Sequence, residues 1–247
     1  MTASFKILRW GTVLLALLLA GCPPHPVRPG KPPGEAVPAA GTRPTPHLGR
    51  PYDVVGSESV LRVLVYRGGA LAKAGHNHVI ASHDLSGTIY VPEDATGATF
   101  EIKMPLADLT VDEASLRAQE GGDFSAEVPD SAREGTRRNM LGQALLNAQL
   151  FPEIVLRSEH IERNANGGLE AHVQAEVRQA PHSIVVPFQY EMQAGQLSVS
   201  GELPLRQTDL GLTPFTALLG ALQVEDQMRV KFHFVARPAP TSSGRKR

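Results

Sequence analysis

The sharpest polar feature of the chain is a pair of histidines one residue apart, His76 and His78 in the run Gly75-His76-Asn77-His78. On an extended segment residues i and i+2 project to the same face, so two imidazoles can meet one ligand. Three chemistries suit that spacing. The pair can hold a metal ion, with His83 or Asp84 as a third ligand. Together with Asn77 it can hydrogen-bond a polar head group or phosphate near the mouth of a barrel, or one ring can pack structurally while the other meets solvent. Two histidines do not close a metal site, and the single cysteine, Cys22, cannot complete a thiolate set. No metal or other cofactor is assigned.

Covalent catalysis finds little support. There is no G-x-S-x-G elbow and no phosphate loop. Asp108, Asp112 and Glu113 read as a solvated turn at a strand end, and Arg137-Arg138 as a solvated face, with a phosphate clamp as the sharper alternative. No catalytic residue is assigned, and the chain is expected not to be an enzyme.

The N-terminus reads as an address. Lys6 and Arg9 precede an apolar run from Trp10 to Ala20, well short of the ~20 residues that span a bilayer. Leu19-Ala20-Gly21-Cys22 follows directly and resembles a bacterial lipobox, in which the cysteine sulfur receives a diacylglyceryl group. Residues 1–21 are therefore expected to be a lipoprotein signal peptide, and Cys22 the lipidated first residue of the mature chain. Ten of the 20 prolines fall between positions 23 and 51, so residues 22–50 read as a disordered tether. Pro23, not Asp, follows the cysteine, and by resemblance to sorting in enteric bacteria the expected location is the cell envelope, at the outer membrane facing the periplasm.

Net charge conceals an asymmetry. Residues 51–236 hold 14 basic and 24 acidic side chains, whereas 237–247 read as a basic disordered tail with Arg237, Arg245, Lys246 and Arg247. An acidic body argues against nucleic acid as partner, because phosphate binding needs a basic face.

What positions the histidines is mostly strand. Ala98, Phe100, Ile102 and Met104 alternate with polar residues, as do Ala171, Val173, Ala175 and Val177, then Leu197, Val199, Gly201, Leu203 and Leu205, and finally Val230, Phe232 and Phe234. Asn166-Gly167-Gly168 marks a tight hairpin, and Ala194-Gly195 a second. Antiparallel strands are expected over 153–163, 169–178, 184–192, 196–206 and 228–236. Met140, Leu141, Ala144 and Leu145 recur at helical spacing and predict one amphipathic helix over 133–148, lying across an opening or against the sheet. The whole fits an all-β fold, an antiparallel β-barrel of about eight strands over 51–236.

Several segments in order resemble the YceI-like family of bacterial envelope proteins. They are Ser59 to Val65, Gly75 to Ile80, Leu85 to Ile89, Leu109 to Asp112, Asn147 to Ile154, Leu205 to Phe215 and Val224 to Asp226. The resemblance covers 52–236 and implies a lipocalin-like barrel whose apolar interior holds a polyisoprenoid or other lipid. The chain departs from relatives at the turn 175–183, so no ligand contact is carried over there. With Phe100, Ile102, Met104, Phe188, Phe215, Phe232 and Phe234 facing inward, the expected cavity suits a long apolar chain, as carrier, buffer or sensor. The alternatives are a metal-assisted envelope enzyme using His76 and His78, or a protein-interaction platform with a packed interior. Expected partners are the lipid ligand, the membrane through the anchor and a second copy in a homodimer.

Overall fold

The computed structural model describes residues 48–240. The expected signal peptide, Cys22, most of the tether and the last seven residues lie outside the described residues. The strands are β1 (Arg50–Val54), β2 (Val60–Gly68), β3 (His78–Ser82), β4 (Ser86–Val91), β5 (Thr99–Pro105) and β6 (Thr110–Val111). Helices α1 (Ala114–Gln119) and α2 (Asp130–Leu141) follow, then β7 (Glu153–Arg163), β8 (Leu169–Val177), β9 (Ala180–Gln193), β10 (Gln196–Arg206), β11 (Thr216–Ala217) and β12 (Leu222–Pro238).

Every pairing is antiparallel. The order β1-β4-β5-β7-β8-β9-β10-β12 returns to β1 and closes an eight-stranded barrel, as the sequence predicts. Three staves are interrupted: β1 continues into β2, β3 into β4 and β5 into β6, each after a short irregular link. At the first break the Ser59 hydroxyl accepts the Val235 amide at 2.9 Å and donates to the Val55 carbonyl at 2.8 Å, replacing ladder bonds that the break removes.

The barrel therefore has two dissimilar ends. At one, tight turns join β7 to β8 and β9 to β10; Asn164 Oδ1 accepts the amides of Asn166 and Gly168, and Ala194 and Gly195 take φ of 51° and 80°. At the other, longer connections carry both helices. Pairing between β9 and β10 stops at Gln189 and Ser200; beyond that point β9 stays on β8 and β10 on β12. Pro187 and Pro204 lie in the splayed stretch, where neither has an N–H to give a ladder.

The predicted helix needs correction at both ends. It begins at Asp130, directly after Pro129, and stops at Leu141 rather than running from 133 to 148. Gly142 takes an extended ψ of 167°, and turns follow in which Asn147 adopts φ 48°. Successive turns bury Leu146 instead of Ala144, which stays exposed, so an apolar spacing compatible with a helix is met by folded-back chain. The body also extends past its predicted edge at 236, because β12 runs to Pro238 and Arg237 forms a bidentate pair with Glu58.

Candidate functional site: a dry cavity and a buried polar network

Alternation sends one face of each strand into the barrel, and in the half nearest the tight turns these side chains do not fill it. A cavity of about 130 Å³ remains. It is lined by Phe100, Ile102, Phe188, Phe232 and Phe234 of the predicted set, and by aliphatic neighbours outside that set such as Ile184, Val186, Leu197 and Val199. The run Ile184-Val185-Val186 hides its own period, because outward-facing Val185 is also apolar and is 46% exposed. Small residues make the room: Ala98 and Ala171 border the void, and Gly201 sits opposite Phe232, whose ring lies where a Cβ would stand.

Along β9 the inward positions Ile184, Val186 and Phe188 are only half-buried, and the next two, Tyr190 and Met192, are exposed. That gradient puts the mouth at the tight-turn end. A void of ~150 Å³ lined by aliphatic and aromatic side chains stays dry and accepts a benzene-sized solute, so this interior as it stands suits a slender apolar segment.

Two predicted residues lie elsewhere. Met104 is buried in the core that fills the middle of the barrel, with Met140, Leu146 and Leu212 from the helix-end connections. Phe215 borders a second pocket of about 330 Å³ at the helix end, with His76 and His78. On β2, Leu61 borders the first void and Val65 the second. Four residues of strand are ~13 Å, and Val63 packs in the core between them. The histidine pair is consequently not at the mouth of the dry cavity, because β3 starts at His78 opposite Val65, at the far end of the stave.

His78 is the side chain that a buried network organises. Its Nδ1 stands 2.6 Å from Asp112 Oδ2, and its Nε2 stands 3.1 Å from the Thr136 hydroxyl on α2. Asp112 Oδ1 accepts the Val79 amide at 2.9 Å and Arg117 Nη1 at 2.6 Å. Arg117 also donates to the carbonyls of Asn77 and Ala126 and stands over the Phe124 ring, while Phe124 and Leu116 pack on the outward Leu64 and Val79. Burial by itself raises the Asp112 carboxyl; the hydrogen bonds from His78 and the Val79 amide, the His78 charge and the Arg117 guanidinium outweigh it and hold the carboxyl below its ordinary range. Asp112 is thus a buried anchor at 2% exposure with φ 58°, not the solvated turn that sequence suggests. A signal was present, since Leu109-Thr110-Val111-Asp112 is one of the family-like strings.

With both nitrogens of His78 engaged, it does not converge with His76 on a metal, and the two rings stand 6.1 Å apart. His83 pairs with Glu113 instead. Asn77 bridges the Arg67 amide and the Asp123 carbonyl. His76 borders the helix-end pocket with its pKa lowered, first by burial and then by the charges of His78, Arg117 and Arg67. Arg137 donates to the Ala107 and Leu109 carbonyls and ties α2 to the β5–β6 link, whereas Arg138 pairs with Glu134 in solvent; among the described residues the two do not form a clamp.

A closed antiparallel barrel with an apolar interior belongs to the class of lipocalin-like ligand-binding folds. Comparison with known proteins narrows the class. The YceI-like domain model matches residues 58–236, and the chain belongs to that family, whose fold binds ligands. Among solved structures, BcnA of Burkholderia cenocepacia is similar at a TM-score of 0.53 and 13% identity, covering 74% of this chain and 98% of its own. A polyisoprenoid binding domain from Saccharophagus degradans, implicated in plant cell wall breakdown, gives 0.48 and 12%, covering 76% and 98%. The Campylobacter jejuni YceI protein gives 0.45 and 10%, covering 63% and 82%. No curated protein matches the chain.

Proposed function

We propose that the protein holds a long-chain apolar ligand of the polyisoprenoid type in the barrel, as an envelope lipoprotein anchored through Cys22 that carries, buffers or senses that lipid. The observation that supports this reading best is the dry cavity whose inward side chains are left half-buried: a row of aliphatic and aromatic groups prepared for contact that the protein itself does not complete. Each methylene seated there contributes ~0.8 kcal/mol, so the segment of the chain that enters the void binds by desolvation. Family membership supports the same ligand class. The Pro-rich segment before residue 50, at ~3 Å per residue in extended form, allows the barrel to stand off a membrane or to touch it.

The full-length chain, titrated with a fluorescent polyisoprenyl alcohol and also extracted for mass spectrometry of co-purified lipid, tests the ligand. Saturable one-to-one uptake is expected; a chain that takes up no isoprenoid and yields no lipid ends the proposal. Cys22→Ala tests the anchor separately, with the expected outcome that the protein leaves the membrane fraction.

A further inference from the structure

On the outer face of the barrel, away from the cavity and from the His78 network, β7 and β8 bring two other histidines together. A β-bulge between Ser158 and His160 breaks the register of this pair of strands. Before it the inward residues of β7 are Leu156 and Ser158; after it the inward residue is Ile161, which borders the cavity. The extra residue turns His160 outward, where strict alternation would have sent it into the barrel. His160 then faces His172 across the ladder, and Glu162 faces Glu170 beside them.

The two imidazoles lie 3.9 Å apart, nearly parallel at 16°. His172 Nε2 stands 3.0 Å from Glu162 Oε1, and one donor atom each from His160, Glu162 and His172 all fall within 4.8 Å of one another. Glu170 accepts from Asn164, and among the described residues neither Glu162 nor Glu170 has a Lys or Arg ion-pair partner. On β9 the outward neighbours are uncharged, Val185 beside His172 and Pro187 beside Glu170.

We infer that His160, His172 and Glu162 form a surface site for a divalent transition-metal ion of the zinc or copper type. Two imidazole nitrogens and a carboxylate oxygen are the donor set such ions take, at metal–ligand distances of ~2.0–2.2 Å. Side-chain rotation brings the three atoms to that spacing, with no change in the strands. Glu170 stands next in line as a further oxygen donor, and the unneutralised carboxylates favour a cation. Water completes the coordination on the open side.

Isothermal titration of the full-length chain with ZnCl₂, and copper electron paramagnetic resonance with CuCl₂, test the site. The expected result is one ion per chain, nitrogen hyperfine structure from two imidazoles, and a loss of at least tenfold in affinity for His160→Ala and for His172→Ala. Glu162→Gln should weaken zinc by several-fold, and His76→Ala should leave it unchanged. His160 and Glu162 are exposed and His172 is half-buried on the barrel wall, and unaltered circular dichroism verifies the fold of each variant. Stoichiometric binding that survives in the double variant His160→Ala, His172→Ala, or no stoichiometric binding by the parent chain, overturns the inference.

Discussion

The two halves of the barrel solve closure differently. Near the tight turns the ring is closed by backbone hydrogen bonds, with β1 bridging β4 and β12, and the interior is left partly empty. At the helix end the ladder between β9 and β10 has parted, and side chains close the structure instead: Met140 and Leu146 plug the core, and Asp112 ties β3, α1 and, through His78, α2. A barrel whose wall is complete can leave its interior vacant, while a barrel whose wall is open must fill and fasten it. Ligand capacity and mechanical integrity thus occupy opposite ends of one molecule.

Substitutions can separate the two. The largest effect is expected from Asp112→Ala, which strands a buried guanidinium and imidazole and should cost about 3–5 kcal/mol in urea unfolding. The same carboxyl sets an acid limit. Its folded pKa lies below the ordinary aspartate value, so its stabilisation is complete above about pH 3.9 and is lost as the pH falls through the lowered folded value. Asp112→Asn should therefore be less stable at neutral pH and show a shallower acid dependence below pH ~4.

At the other end, Ala171→Leu puts a branched side chain into the void and should weaken apolar-probe binding about tenfold, ~1.4 kcal/mol, with the urea midpoint little changed. If it unfolds the barrel instead, the cavity is tighter than its lining suggests. Thr136→Val removes the hydroxyl partner of His78 and should cost about 1 kcal/mol of stability while leaving probe binding intact. Smallest of all, Arg138→Ala should fall within about 0.5 kcal/mol of the parent in thermal unfolding, because its ion pair is exposed. Its neighbour Arg137, which binds two carbonyls, should do measurably worse when replaced by alanine.

Much of the tight-turn half was legible in the sequence, for a physical reason. Strands of strict period two announce their faces, and the strands at 153–163 and 196–206 appear with the predicted bounds. Asn166-Gly167 announced its turn, whereas the β8–β9 turn places Arg178 and Gln179 at φ 54° and 60° with no glycine to signal it. The helix end was less legible because its order comes from contacts distant in sequence. Composition and charge do not distinguish the buried Asp112 from the exposed Asp108; the physical difference lies in His78 and Arg117 arriving around one of them. Phe100, Phe188, Phe232 and Phe234 border the void because alternation governs them, whereas Phe215 sits in a connection and borders the helix-end pocket. His160 needed a bulge to be seen, and its trace in the sequence is the one-residue slip between Ser158 and Ile161 in an otherwise regular strand.

Closure by β1 also sets an order of events in time. Tyr52 pairs with Pro238, so the first described strand and the last meet across almost the whole folded chain. Contacts of such long separation form late and slowly, after the local hairpins from β7 to β10 have had time to assemble. Until β12 is in place, β1 and β10 both present unpaired edges around an apolar interior, the condition in which β-rich chains associate with one another. A nascent chain lacking only its final strand would hold most of its sheet yet remain open along one side, and the same residues that make the finished cavity dry would make that intermediate adhesive.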